Sequence, residues 1–592
     1  MFGTKSINFK WLFFILYIID ILLLVPTLGI PHARHLIFLV LAMGMALGIE
    51  RFFKYTNRYY ISLLLLYIFY NSIFWCVLHG NIQTPLEMKD YITYKAFEIF
   101  VGLLILTITN LIKNKLYRTC IGLLLFLITV FPITLIWSYY FSTQSFLTVE
   151  SCMAILQTNP SEAWQYISDH SSIMRIIGIT TVFVGGAFVF LSIQSCTMQL
   201  RSRKLKWILC FLMIMDLLMI YRTRENVVGN LIYDTRVYSL QYENYQKNRE
   251  QRIENLSSLP DLSNEGKPGV YILVIGESET RDRMGVYGYN RDTTPWLNSV
   301  KEKENIIIFN KSWSCANDTV RALTYALTNK NQYNDINLDK AFSLIEVANA
   351  AGYDTAWISN QVQYGLADTP ITAIASEAKQ QVWLRDKVGH MKDGRYLDIP
   401  DYFDEKVLSG LDELNYSDKM LIVIHIMGSH NSYKVRYPKE FANFSGDYSD
   451  EYDNSVLYTD YILRRIIDKT ENIPNFQGMI YFSDHGEGID DNVGHDNNSF
   501  TYQMTRIPMF MYMSPSFVKN RHEDYTNLFI KRNDYFTNDL IFELMLGIMG
   551  VVDKRLMNDS DMLMLPQYNN DVNRFYTSYG KRKIIDDPTI EK

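Results

Sequence analysis

The sequence predicts two dissimilar halves: an N-terminal polytopic α-helical membrane domain, then a C-terminal α/β domain on a mostly parallel sheet. Three observations carry this. Up to about residue 222 the chain is strongly apolar and poor in acids, whereas the remainder has the composition of a soluble globular protein. In the second half, short β-branched and aromatic runs alternate with helical patterns. Two of those runs, 270–275 and 479–482, stop abruptly at Glu277 and at Asp484-His485.

At 592 residues the chain is too long for one ordinary domain. The expected division is a membrane domain over 1–222, an interfacial helix and linker over 223–268, and a catalytic α/β domain over 269–592. A net charge of −6 is small for this length and suggests no nucleic-acid partner. Six cysteines are scattered without metal spacing, and Cys315 alone lies in the soluble half, which leaves a pairing with Cys152 open.

A membrane-spanning helix needs about 20 apolar residues, and about seven stretches approach that length: 11–30, 35–49, 59–78, 97–112, 117–137, 173–193 and 207–221. The first is too long for a signal peptide and has no small-residue cleavage site. Lys5 and Lys10 precede it. Arg51, Lys54 and Arg58 follow the second stretch, Lys113, Lys115 and Arg118 the fourth, and Arg201, Arg203, Lys204 and Lys206 the sixth. The alternate loops hold only Arg34, Lys89 and Lys95. The positive-inside rule then places the N-terminus in the cytoplasm and the C-terminal domain outside, with an extracytoplasmic loop at 138–172. Tyr233, Tyr238, Tyr242 and Tyr245 fall near helical spacing, as in a helix at the lipid–water boundary or an ordinary linker helix. Turn residues over 257–269 mark a linker.

Further strands are expected at 354–359, 420–426 and 509–513, with helices at 319–327, 341–351 and 454–470. Ligands in open α/β sheets gather beyond the carboxyl ends of the strands. Several runs end there in polar groups: Glu277, Asn360-Gln361, His425 and His430, and Asp484-His485. Glu277, Asp484 and His485 supply oxygen and nitrogen donors suited to zinc. Asp318 reads as an N-cap, placing Thr319 at the positive end of a helix where backbone N–H groups can hold phosphate oxygens. Zinc would lower the Thr319 hydroxyl pKa and make it a nucleophile.

These residues resemble the membrane-anchored phosphoethanolamine transferases of the alkaline phosphatase and sulfatase superfamily, the group that contains the lipid A modifiers of polymyxin resistance. The matching segments are Gly276-Glu-Ser-Glu-Thr-Arg281, Gly285-Val-Tyr-Gly-Tyr-Asn-Arg-Asp-Thr-Thr-Pro295, His425-Ile-Met-Gly-Ser-His430, Tyr458-Thr-Asp460 and Ser483-Asp-His-Gly-Glu487. Leu156-Gln-Thr-Asn-Pro-Ser-Glu-Ala163 is also similar. The resemblance implies an alkaline phosphatase-like catalytic domain in the periplasm, on a multi-pass anchor in the bacterial inner membrane. It implies one tight Zn2+ site made by Glu277, Thr319, Asp484 and His485, and a catalytic role for Thr319 as acceptor of phosphoethanolamine from phosphatidylethanolamine. His430 and His495 match positions near the phosphate, where a second zinc or a proton transfer is placed. The acceptor implied is lipopolysaccharide, on lipid A or core, and the enzyme is expected to be monomeric among membrane lipids. The family usually has five spans, and many relatives have proline where this chain has Arg321, a guanidinium suited to gripping phosphate. Two alternatives stand beside this reading: a glycerol-phosphate transferase using phosphatidylglycerol, and a degenerate membrane-tethered binding or sensor protein. A sulfatase is disfavoured because no Cys-x-Pro-x-Arg sequence surrounds Cys315.

Overall fold

The computed structural model describes residues 8–28, 33–70, 88–143, 202–224, 226–259, 266–362, 370–385, 403–431, 433–495 and 500–590, with a few isolated positions between them. It divides into two compact units, Met1–Cys152 with Tyr166–Val237, and Met153–Gln165 with Tyr238–Lys592.

The first unit is helical: α1 (Phe9–Leu28), α2 (Ala33–Glu50), α3 (Thr56–Tyr70), α4 (Met88–Leu111), α5 (Lys115–Thr143), α6 (Arg203–Arg222) and the start of α7 (Val227–Lys247). Every expected apolar stretch except 173–193 falls at least in part on one of these helices. All of that stretch but Gly186 and Ala187, the Leu156–Ala163 motif and nearly all of the loop 138–172 beyond α5 lie outside the described residues. Among the described residues two helices are long and apolar enough to cross a bilayer, Tyr91–Leu111 and Lys115–Ile136, and Leu36–Glu50 is a shorter apolar helix. Large apolar side chains such as Trp11, Val40, Leu124, Phe131, Trp207 and Phe211 point outward, a surface that water does not favour. Charges instead sit inside. Lys95 Nζ lies 3.2 Å from Glu98 and 3.7 Å from Asp20, and Tyr67 donates a hydrogen bond to Asp20, tying α1, α3 and α4 together.

The second unit is built on a seven-stranded sheet. Its strands are β1 (Gly269–Gly276), β2 (Ile306–Ile308), β3 (Asp354–Val362), β4 (Gln380–Arg385), β5 (Lys419–His425), β6 (Phe476–Ser483) and β7 (Met509–Met513). They lie in the order β2-β7-β6-β1-β5-β3-β4, and β7 runs antiparallel to both of its neighbours. Every residue of the central strand β1 is buried, which is why its sequence is apolar without alternation. One face packs Val270, Ile272 and Val274 with Ile462, Leu463 and Ile466 of α11 (Tyr448–Thr470). Register aligns Ile275 with His425 and Phe482, Gly276 with Ser483, and Ser359 with His425. The next residues, Glu277, Asp484 and Asn360, therefore emerge along one edge. The helices α9 (Thr319–Ala326) and α10 (Leu344–Ala350) complete the elements that concern the site.

A buried ionic latch fastens α8 (Arg249–Ser257) to α10. Arg252 Nε donates to both Glu346 oxygens at 3.1 and 3.0 Å, and its Nη2 lies 3.2 Å from Glu377. The guanidinium sits 3.7 Å over the Tyr245 ring, whose hydroxyl donates to Glu377 at 3.2 Å. Tyr233 is exposed, as a boundary tyrosine would be, but Tyr245 is buried in this network. Burial, reinforced by the Glu346 carboxylate, pushes Glu377 up to about 8. Its folded value thus lies above the unfolded one, so its contribution is fully present below about pH 4.5 and is lost as pH rises towards 8. Thermal midpoints measured between pH 5 and 9 should fall with rising pH. Glu377→Gln should flatten that slope.

Candidate active site

The site begins where β1 and β6 stop. After Gly276 the backbone turns at Ser278, which adopts φ +58, a left-handed conformation that serine seldom takes. The turn directs the Ser278 N–H to Asp484 Oδ1 at 2.9 Å, and Tyr452 Oη fixes it by accepting from Thr280 N–H at 2.9 Å and donating to Ser278 O at 2.8 Å. Glu277, Asp484 and His485 are all buried, with one ligand atom of each within 4.8 Å of the others. His485 Nε2 is 3.4 Å from Glu277 Oε1 and 3.4 Å from Asp484 Oδ2. Its Nδ1 faces Gly486 O at 2.8 Å, which places a proton on Nδ1 and turns Nε2 inward.

Thr319 Oγ1 joins this group at 3.2 and 3.3 Å from the Glu277 oxygens and 3.4 Å from His485 Nε2. It is the first residue of α9, capped as expected by Asp318, whose Oδ1 accepts the Arg321 N–H at 3.1 Å. Arg321 itself turns back: its Nε donates to Asp318 Oδ2 at 2.7 Å and its guanidinium lies 5.1 Å over the Tyr579 ring. Cys315 is a buried free thiol, so it does not pair with Cys152.

The residues themselves fit a metal here. Asp484 Oδ2 is buried and accepts no hydrogen bond, although it points into a group that already contains Glu277. Burial and the Glu277 charge raise the Asp484 carboxyl to about 7. Burial also opposes ionisation of Glu277, but the His485 imidazole holds it well below the usual carboxylate range. Two carboxylates, an imidazole and a hydroxyl around one small volume call for a divalent cation, and the N/O donor set suits zinc.

The two further histidines lie on neighbouring loops. The Ser429 N–H, next to His430, donates to Glu277 O at 2.9 Å, and Arg436 Nη2 sits 3.3 Å from His430 Nδ1. Burial, opposed by Glu277 and aided by Arg436, pulls His430 down to about 4, so it is neutral near pH 7. His495 Nδ1 lies 2.8 Å from Glu487 Oε2, and its ring is 4.7 Å from that of His485. Burial disfavours its charge, but Glu487 outweighs that and raises its pKa. His485, Glu487 and His495 form a second cluster of ligand atoms within 4.8 Å. His425, by contrast, packs edge-on against Trp357 in the core, and burial pulls it down to about 4.

Sequence reasoning passed over several supporting residues. Glu487 stands in the quoted Ser483–Glu487 motif, yet its partner Tyr433, donating at 2.7 Å, is distant in sequence. Gln361, expected only as a strand end, donates to Glu277 Oε2 at 3.3 Å. Gly428 packs its backbone directly on Glu277. At φ +46, a Cβ there would meet Glu277 O at 2.8 Å and its N at 2.9 Å. Gly428→Ala should push Glu277 out of place and lower kcat/KM about 100-fold with the fold retained, as far-UV circular dichroism and steady-state kinetics would show.

Strand-end carboxylates and a capped threonine on a mainly parallel sheet define a class, and residues 270–550 match the Sulfatase family. Curated relatives of the chain are phosphoethanolamine transferases. Phosphoethanolamine transferase EptC of Escherichia coli (strain K12) is 27% identical over 424 residues, covering 63% of this chain and 70% of the relative. The integral membrane protein lipooligosaccharide phosphoethanolamine transferase A of Neisseria meningitidis shares the fold, with TM-score 0.56 and 19% identity over 88% of this chain and 97% of its own. The C-terminal periplasmic domain of Escherichia coli EptC, solved in complex with Zn, aligns with TM-score 0.48 and 26% identity over 55% of this chain and 94% of its own.

Proposed function

We propose that this protein transfers phosphoethanolamine from phosphatidylethanolamine, by way of Thr319, to a lipopolysaccharide acceptor on lipid A or core. The observation that carries the reading is Thr319 Oγ1, set at a helix start within 3.2–3.4 Å of Glu277 and His485. Backbone N–H groups of the first turn of α9 bind the phosphate oxygens. The Thr319 hydroxyl, oriented by the Glu277 oxygens, loses its proton to solvent as its oxygen bonds to phosphorus, and the bond from phosphorus to the diacylglycerol oxygen breaks. His495, kept protonated by Glu487, gives a proton to the departing oxygen, while neutral His430, with Arg436 beside its Nδ1, donates a hydrogen bond from Nε2 to the phosphoryl group. His495, oriented through Nδ1 by Glu487, takes the acceptor's proton in the second half, when the acceptor displaces Thr319. Zinc held by Glu277, Thr319, Asp484 and His485 supplies Lewis-acid chemistry, lowering the hydroxyl pKa and neutralising charge on the phosphoryl group.

Both substrates are lipids, which accounts for an N-terminal unit that exposes apolar side chains. We assign it as the inner-membrane anchor, crossing about seven times with its N-terminus cytoplasmic and the catalytic domain periplasmic. The experiment is mass spectrometry of lipopolysaccharide from cells with and without the protein, with purified protein offered labelled phosphatidylethanolamine and phosphatidylglycerol in parallel. Gain of one phosphoethanolamine group is the expected result. Label arriving only from phosphatidylglycerol overturns the donor.

A further inference from the structure

The family match ends at residue 550, yet the chain beyond it grips the loop that carries Thr319. Thr577 Oγ1 donates to Ser314 O at 2.6 Å, and Tyr579 N–H donates to Cys315 O at 2.8 Å. Asp587 accepts from Trp313 Nε1 at 3.0 Å while Arg506 holds the same carboxylate at 2.9 and 2.7 Å. The Tyr579 ring stacks on Tyr325 of α9 at 4.9 Å and lies against the Arg321 guanidinium. Gln332 closes the arrangement from the far end of the helix, donating to Tyr576 O at 3.0 Å and accepting from Gly580 N–H at 2.9 Å.

These contacts require a costly backbone. Ser578, Tyr579 and Gly580 follow one another at φ +51, +60 and +77. A left-handed tyrosine is rare, and two such non-glycine residues in succession persist only where the surroundings over-determine them. The gain is local: the turn brings the Tyr579 N–H to Cys315 O and its ring to the first turns of α9. No covalent staple performs this task, because Cys315 is a free thiol.

We propose that residues 576–587 form a brace that positions the nucleophile, with Thr577, Tyr579 and Asp587 acting on Thr319 through the 313–318 loop rather than on substrate. The proposal rests on the transfer reaction assigned to Thr319, and its test separates the two. Thr577→Val keeps the side-chain shape and removes the hydrogen bond to Ser314 O; Thr577→Ser restores it. In the full-length protein in detergent, Thr577→Val should lower kcat for phosphatidylethanolamine about tenfold with KM unchanged. Zinc content should hold, amide hydrogen exchange across 313–319 should rise, and Thr577→Ser should recover both readouts. Should Thr577→Val not fold, Tyr579→Gly keeps the N–H and the left-handed turn while removing the ring, and the same changes are expected. Unchanged exchange overturns the brace, and so does raised exchange with unchanged kcat. If the unaltered protein transfers nothing from phosphatidylethanolamine, the assigned reaction fails, and exchange across 313–319 alone then decides for or against the brace.

Discussion

Replacement of Thr319 by alanine should abolish transfer while zinc content and thermal midpoint stay close to those of the parent. The reason is positional. Thr319 is only partly buried at the start of α9, and Asp318, not Thr319, supplies the cap that holds the helix. Loss of the hydroxyl removes the contacts to both Glu277 oxygens and to His485, leaving Asp484, Glu277 and His485 in place. An exposed or half-exposed hydroxyl contributes about 1 kcal/mol to stability at most, whereas loss of the nucleophile removes the covalent path. Turnover should fall by at least about 10³-fold, measured as labelled phosphoethanolamine released from donor and retained on protein. Retained label on the alanine variant would exclude Thr319 as the acceptor.

Asp484→Asn has an opposite signature, separating binding from folding. Asp484 Oδ1 holds the Ser278 and His485 N–H groups, while Oδ2 accepts no hydrogen bond and faces a second buried carboxylate, the oxygen the proposed cation would take and the one an asparagine amide replaces. The variant should bind zinc at least about 100-fold more weakly, with turnover falling in step. Its metal-free form should nevertheless melt no lower than metal-free parent, because the substitution removes one of two like charges from a buried site. Calorimetry of both proteins with and without chelator checks the sign. In the parent, saturating zinc should raise the midpoint by the mass-action term, about 2.7 kcal/mol when free metal exceeds Kd 100-fold.

Legibility of the fold followed burial. β1, β5 and β6 are buried on both faces, so each wrote an unbroken apolar run whose end marked the site edge. Thr319 was legible because Asp318 stands before an amphipathic pattern. β2 was not: Ile306–Ile308 is three residues long and gains its identity only by pairing with β7. The Arg252 latch was read as a linker because its partners lie 94 and 125 residues away. The Arg321 guanidinium, expected at phosphate, was claimed by the neighbouring Asp318. Nothing local in Thr577 or Tyr579 signalled a tie to Ser314 and Cys315, since that tie is made through backbone carbonyls 263 residues upstream.

Ser278 and Asp484, 206 residues apart, meet only when two parallel strands have docked side by side. An unfolded chain therefore offers no chelate, and long-range parallel pairing is among the slower steps of folding. A metal at the proposed site would meet a finished receptacle and would not be a seed around which the polypeptide organises. Occupancy of the proposed site should then track the free zinc that the folded domain meets, and not the zinc present while it folds.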